Sequence, residues 1–226
     1  MDLCFVKMRL LLVNGRRNNL ILRTGGRKTV RRVVLFLAIF IFNPLQGAWS
    51  QAYRNEIQTP PVEVYQSMLS FVDKKDYAKV ASSLKILTPI VAHIQAKYTD
   101  DPSLGIKKAI DKGNQDEILL SVQTLIVLDT KDLLDEALKQ VEQTPDASRT
   151  LLKTARLNYE LLTSFVQQKE FAIDQKIKKD FLDSYRLLDP ESLYSNQKAA
   201  VDKEQIRRLW MEIMNDLTKA FPVRSS

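Results

Sequence analysis

Three carboxylates in the segment "LDTKDLLDEA" are spaced for chemistry: Asp129, Asp132 and Glu136 stand at i, i+3 and i+7. On a helix turning about 100° per residue they share one edge, and Asp129 falls inside the arc of Ile118, Val122, Leu125 and Ile126. A lone buried carboxylate is costly, so Asp129 needs a cation, a metal or a hydrogen-bond donor. Hard oxygen ligands on one helix edge would suit a divalent cation if a second helix completed the shell. Asp129, Asp132 and Glu136 are therefore the candidate metal ligands, with His93 as a possible fourth. A plainer reading uses the same letters. Asp129 or Thr130 would cap a fresh helix, Asp132 would offset the dipole of its first turn, and the segment would break at a solvated joint; a salt bridge to a neighbouring helix is the remaining reading.

His93 is the only histidine, so any chemistry needing an imidazole must use it. It lies beside a helical stripe, on the flank of Ile86 and Ile90, and "HIQA" lacks the Glu-x-x-His pattern of carboxylate-bridged iron bundles. It is expected to be a partly exposed helix residue. Nucleophilic catalysis has less support still. There is no G-x-S-x-G elbow, and "SSLK" (Ser82 to Lys85) matches S-x-x-K in mid-helix with Leu84 in the core stripe. No pair of carboxylates is singled out for glycoside hydrolysis. The seven tyrosines could line a groove between hairpins, but are expected to pack at the core margin with hydroxyls in water. Past residue 50 there is no cysteine and only Gly105 and Gly113 for glycine. A Cys/His zinc set, a haem attachment motif and a glycine-rich phosphate loop are all missing, so no cofactor and no enzyme activity are expected.

The elements that must hold these residues read as helices. Val64, Met68 and Phe71 mark a first face after "TPP", with Thr59 as the expected cap. Tyr77, Val80, Leu84, Leu87, Val91, Ile94 and Tyr98 then recur at spacings of 3 and 4, a packing stripe that Pro89 should kink. A short helix from about Pro102 to Lys112 precedes a long one from Asn114 to about Gln143. After "TPDAS", with Asp146 as a cap, Leu152, Ala155, Tyr159, Leu162 and Val166 form the next stripe. It continues or bends into Ile173, Ile177, Phe181 and Tyr185. Ile206, Leu209, Ile213, Leu217 and Ala220 mark the last helix. No stretch alternates with the period of a half-buried strand. The expected fold is all-α, an antiparallel bundle or a short stack of helical hairpins, forming a single domain over residues 51–226.

Shifting the chain by 38 residues lays "VDKKDYAKVASSLKIL" on "IDKGNQDEILLSVQTL". Asp73 meets Asp111, Asp76 meets Asn114, and Leu87 meets Leu125. A fainter copy occurs at "FVQQKEFA", Phe165 to Ala172. The common pattern is an apolar helix end, three polar residues, and Asp or Asn opening the next helix. True repetition and chance amphipathicity both account for it, since no named repeat family's signature is present. In either case "DKGNQDE" reads as punctuation, with Gly113 in a left-handed turn and Asn114 as a cap.

The overall charge of +7 suggests an anionic partner, but residues 1–50 carry nine Lys/Arg against Asp2 alone. That leaves 25 basic and 26 acidic residues in 51–226, so no basic excess remains to neutralise nucleic-acid phosphates. The leader has the layout of an export signal. "RKTVRR" precedes the ten apolar residues "VVLFLAIFIF", followed by Asn43, Pro44 and a small-residue site, Ala48 and Ser50, for a cut before Gln51. Ten residues make a helix of roughly 15 Å, about half a bilayer core, so cleavage is favoured over a lasting anchor. Residues 1–30 are long for such a signal; a misplaced start or a bipartite organelle-targeting sequence would explain them, and Arg31 and Arg32 also permit twin-arginine export. The expected protein is an exported, non-catalytic binding or assembly module of the periplasm or an equivalent lumen such as the thylakoid's. Its partners would be proteins, not nucleic acid, with membrane contact only through an uncleaved leader.

Overall fold

In the computed structural model, residues 59–98, 101–188 and 202–221 are described; among them there are eight helices and no strand. The export leader and its cleavage site lie outside these residues, as do Tyr53 and Tyr194. No described helix is long and apolar enough to cross a membrane.

Helix α1, Pro61–Asp73, starts on a proline, whose missing amide is harmless in a first turn. Pro60 occupies the cap position and no side chain caps the helix, so Thr59 stands one residue too early to do so. Its buried face is Val64, Tyr65, Met68 and Val72. Phe71 sits at the core margin, with the Lys79 ammonium 5.4 Å from its ring centroid.

The 3–4 stripe that follows is buried at Val80, Leu84, Leu87, Val91 and Ile94, but not by one kinked helix. Helix α2 spans Tyr77–Ile86 and α3 spans Thr88–Tyr98. Pro89 falls in the first turn of α3, where it needs no hydrogen bond, and the chain breaks at Leu87. The Thr88 hydroxyl donates to the Lys85 carbonyl at 2.7 Å and ties the two ends together. Helix α4, Pro102–Lys112, is capped by Asp101, which accepts from the amides of Ser103 and Leu104.

The joints α1–α2 and α4–α5 are the same structure 38 residues apart. Lys75 and Gly113 both adopt the left-handed conformation, at φ 57° and 64°. The Asp76 amide donates to Phe71 O and the Asn114 amide to Ala109 O, the long bond of a Schellman turn. Asp76 then caps α2 by accepting from the Lys79 amide, and Asn114 caps α5, Gln115–Gln140, by accepting from the Glu117 amide. The third copy differs. Glu170 is extended at φ −158°, and a single residue reverses the chain.

A left-handed non-glycine residue costs about 1–2 kcal/mol, so Lys75→Gly should stabilise the protein by about 0.5–1 kcal/mol. Gly113→Ala should cost about 1 kcal/mol for the backbone alone, because a Cβ there would meet no atom within 4 Å. Urea unfolding of the two variants checks both signs.

Helix α6, Pro145–Lys169, begins at Thr144 with no side-chain cap. Asp146 lies inside its first turn rather than at the cap, and pairs with Arg149. Its stripe of Leu152, Ala155, Tyr159, Leu162 and Val166 is buried as the spacing requires. Helix α7, Phe171–Leu188, does not continue α6 but folds back along it, stacking Phe181 on Tyr159 with centroids 5.8 Å apart. Near the far end Arg149 donates to the Leu188 carbonyl and closes α7. Helix α8, Lys203–Ala220, is capped by Asp202 and returns along α7, where the Trp210 indole donates to Ser184 Oγ at 3.0 Å. Thus α5 to α8 run alternately up and down, while α1, α3 and α4 cover other sides of α5.

Helix α5 is enclosed. From Leu125 to Leu134 every residue except Lys131 is buried, whichever way it points. A helix apolar on one stripe needs one neighbour layer; this stretch of α5 has neighbours on every side but that of Lys131.

Candidate functional site

The enclosure of α5 decides where its carboxylates go. The helix runs unbroken through Asp129 and Thr130, so neither caps a new helix and the expected solvated joint does not exist. The Thr130 hydroxyl instead donates to the Ile126 carbonyl of its own helix at 2.8 Å. Asp129 is fully buried and faces α6, accepting from Asn158 Nδ2 at 2.8 Å. Asp132, also buried, faces α3: Lys97 donates to its Oδ1 at 2.8 Å, and His93 Nε2 lies 3.1 Å from the same oxygen. Glu136 binds Lys139 on its own helix through Oε2, while its buried Oε1 has no hydrogen-bond partner among the described residues.

The three candidate ligands therefore diverge to three sets of neighbours, and His93 joins only Asp132. Among the described residues, no group of three His, Cys, Asp or Glu is placed to hold a metal ion. The melting temperature should accordingly be the same in EDTA as in magnesium, calcium, manganese or zinc. A metal-dependent rise that Asp129→Ala removes would favour a cation site instead.

Other buried polar groups form bridges between helices. Tyr159 is buried, not marginal, and its hydroxyl donates to Asp174 Oδ1 at 2.5 Å. Gln167 and Lys178 each donate to Asp174 Oδ2 at 2.8 Å. Burial alone would push the Asp174 carboxyl up, but the bonds from Lys178, Tyr159 and Gln167 outweigh it and hold the group below the usual carboxylate range. Burial, reinforced by the Asp174 carboxylate, raises the Tyr159 phenol far above its ordinary value. Between α7 and α8, Lys176 reaches Asp180 at 3.3 Å and Glu212 and Asp216 at 2.8 Å. Burial dominates at Asp180 and raises its carboxyl, whereas Lys176 and Lys219 outweigh burial at Asp216 and lower it. Asn158, Asp174 and Asp180 were all readable as polar residues on buried helix faces; spacing alone does not reveal the donors that meet them.

A further feature lies outside these bridges. Between α5 and α8 runs an open cleft of about 430 Å³, with Leu134 and Trp210 as its floor and Met211, Met214 and Leu138 on its sides. The last-helix stripe of Ile206, Leu209, Ile213 and Leu217 did not disclose it. The signal was a second apolar row, Trp210, Met211 and Met214, on a helix that already had one.

No protein-family model, curated protein or solved structure matches the chain.

Proposed function

We propose that this chain is an exported helical binding and assembly protein, a small accessory subunit of a larger complex in a periplasmic or lumenal compartment. The observation that carries the reading is a division of labour in the helical part. Asp129, Asp132, Asp174 and Asp216 each receive hydrogen bonds from the protein's own side chains and serve to join helices. The amphipathic cleft between α5 and α8, by contrast, remains open on the outside. Export is supported by the basic, apolar and small-residue succession of residues 27–50.

The test combines intact mass and N-terminal sequencing with crosslinking capture from the native compartment. A mature start at Gln51 and stoichiometric recovery with a larger assembly are expected. Retention of residues 33–42 would make the protein an anchored one, and recovery as a lone monomer after crosslinking would sink the assembly reading.

A further inference from the structure

We propose that the α5–α8 cleft is a docking groove for a three-turn amphipathic helix of a partner protein, one whose flanks are acidic. This deepens the assembly reading and rests on it, by naming the surface and the kind of partner.

The two walls have the same helical spacing. Lys131, Leu134, Asp135 and Leu138 on α5 stand at i, i+3, i+4 and i+7, and so do Arg207, Trp210, Met211 and Met214 on α8. Such rows form ridges between which a third helix can seat its own apolar ridge. From Arg207 to Thr218 the groove is about 16 Å long, which matches three turns. Its floor is carbon: Leu134 is buried, and the one polar atom of Trp210 is engaged inward with Ser184. Met211 is 59% exposed, a flexible apolar side chain at the edge of an apolar slot. Methionine suits this position because it adapts to the shape of what docks.

Charge selects the occupant. The acid on the rim, Asp135, is answered within the fold by the Tyr98 hydroxyl at 2.6 Å and by Lys97 at 3.3 Å. The cations are not matched in this way. Lys131 lies over the Tyr98 ring, 4.5 Å from its centroid. Arg207 has a solvent-exposed contact with Glu204 of its own helix at 3.5 Å, a pair worth little in water. The rim therefore favours carboxylates beside the partner's apolar face, and would steer them in a salt-dependent way. A second copy docking groove to groove would bring the same cations against these, which disfavours self-association.

Binding is read from the anisotropy of a dye on the peptide, because Trp210, 3% exposed, is already shielded from water and would report little of a docked helix. The exported full chain is titrated with helix-stabilised peptides of about 15 residues, long enough to hold three turns. One has acidic flanks, one has basic flanks with the same apolar face, and one has acidic flanks with scrambled apolar spacing. The acidic peptide should bind at least about tenfold more tightly than the other two, weakening as salt rises. Met211→Lys should weaken it by about tenfold or more, the effect of one interfacial side chain. The double variant Lys131→Glu, Arg207→Glu should invert the preference toward the basic peptide at an unchanged melting temperature. Equal binding of the scrambled or basic peptide overturns the proposal. So does co-sedimentation with phosphatidylglycerol vesicles without any binding of peptide, or a concentration-dependent dimer that excludes the acidic peptide. A chain that co-purifies with its assembly but ignores the acidic peptide would refute the groove and leave the assembly reading intact.

Discussion

Asn158→Leu should destabilise the protein by about 3 kcal/mol, because it takes the Nδ2 donor from a carboxyl group that has no route to bulk water. Asp129 is fully buried in the middle of α5, and Asn158 is fully buried opposite it on α6. Asp129→Leu should also cost about 2 kcal/mol, since the Asn158 amide then loses its acceptor, and Asn158 Oδ1 already has no partner among the described residues. The informative variant is the double one. With leucine at both positions neither helix retains a polar atom there, so the loss should be smaller than the sum of the singles by at least about 1 kcal/mol. Urea unfolding of the four proteins gives the coupling directly. Strict additivity would show that Asp129 and Asn158 do not depend on one another.

The second large effect is expected at Tyr159 and Asp174. Tyr159→Phe removes a bond from a buried hydroxyl to a carboxylate and should cost about 2 kcal/mol. The pH dependence follows from the direction of each shift. The folded Asp174 carboxyl is held below its ordinary value, so its contribution is present above the unfolded pKa of about 3.9 and lost as pH falls through the folded value. Asp216 acts in the same sense. The Asp180 carboxyl is raised, so its contribution is present in acid, is lost as pH rises through its folded value, and partly offsets the other two. Tyr159, raised as well, contributes below the unfolded phenol value of about 10 and loses that contribution only in strong alkali. Stability should thus fall as pH drops below about 4, and Asp174→Asn, though less stable at neutral pH, should show a shallower acid decline. Denaturation profiles from neutral pH to about pH 2 test this; an unchanged acid slope in Asp174→Asn would remove Asp174 from the account.

Much of the fold is legible in the sequence where one residue and its near neighbours decide the outcome. The stripes of α2, α3, α6 and α8 are visible because each helix turns a regularly spaced row inward. Gly113 and Asn114 are legible because a left-handed turn followed by a cap is local geometry. The same locality makes the Lys75 joint recognisable from its echo, although lysine gives no hint of a positive φ. What misleads is α5. A carboxylate at Asp129 reads as a cap when the helix is taken to have one wet side, and this helix has none there. Side chains that meet Asp129 and Asp132 come from α6 and α3, at sequence separations of 29 to 39 residues, which no local pattern encodes. Tyr159 misleads for the same reason, because its hydroxyl finds Asp174 only after the chain reverses at Glu170.

The enclosure of α5 also sets how the protein comes apart. With α1, α3 and α4 on some of its sides and α6 and α8 on others, neither group can separate without exposing the helix they share. Local openings at α2 or at the outer turn of α8 leave its amides protected; only loss of the whole fold releases them. Amide hydrogen exchange should therefore be slowest between Leu125 and Leu134, with an opening free energy equal to that of global unfolding. The early helices and the late ones, although joined by few direct contacts, should melt in one transition because they bury opposite sides of the same element.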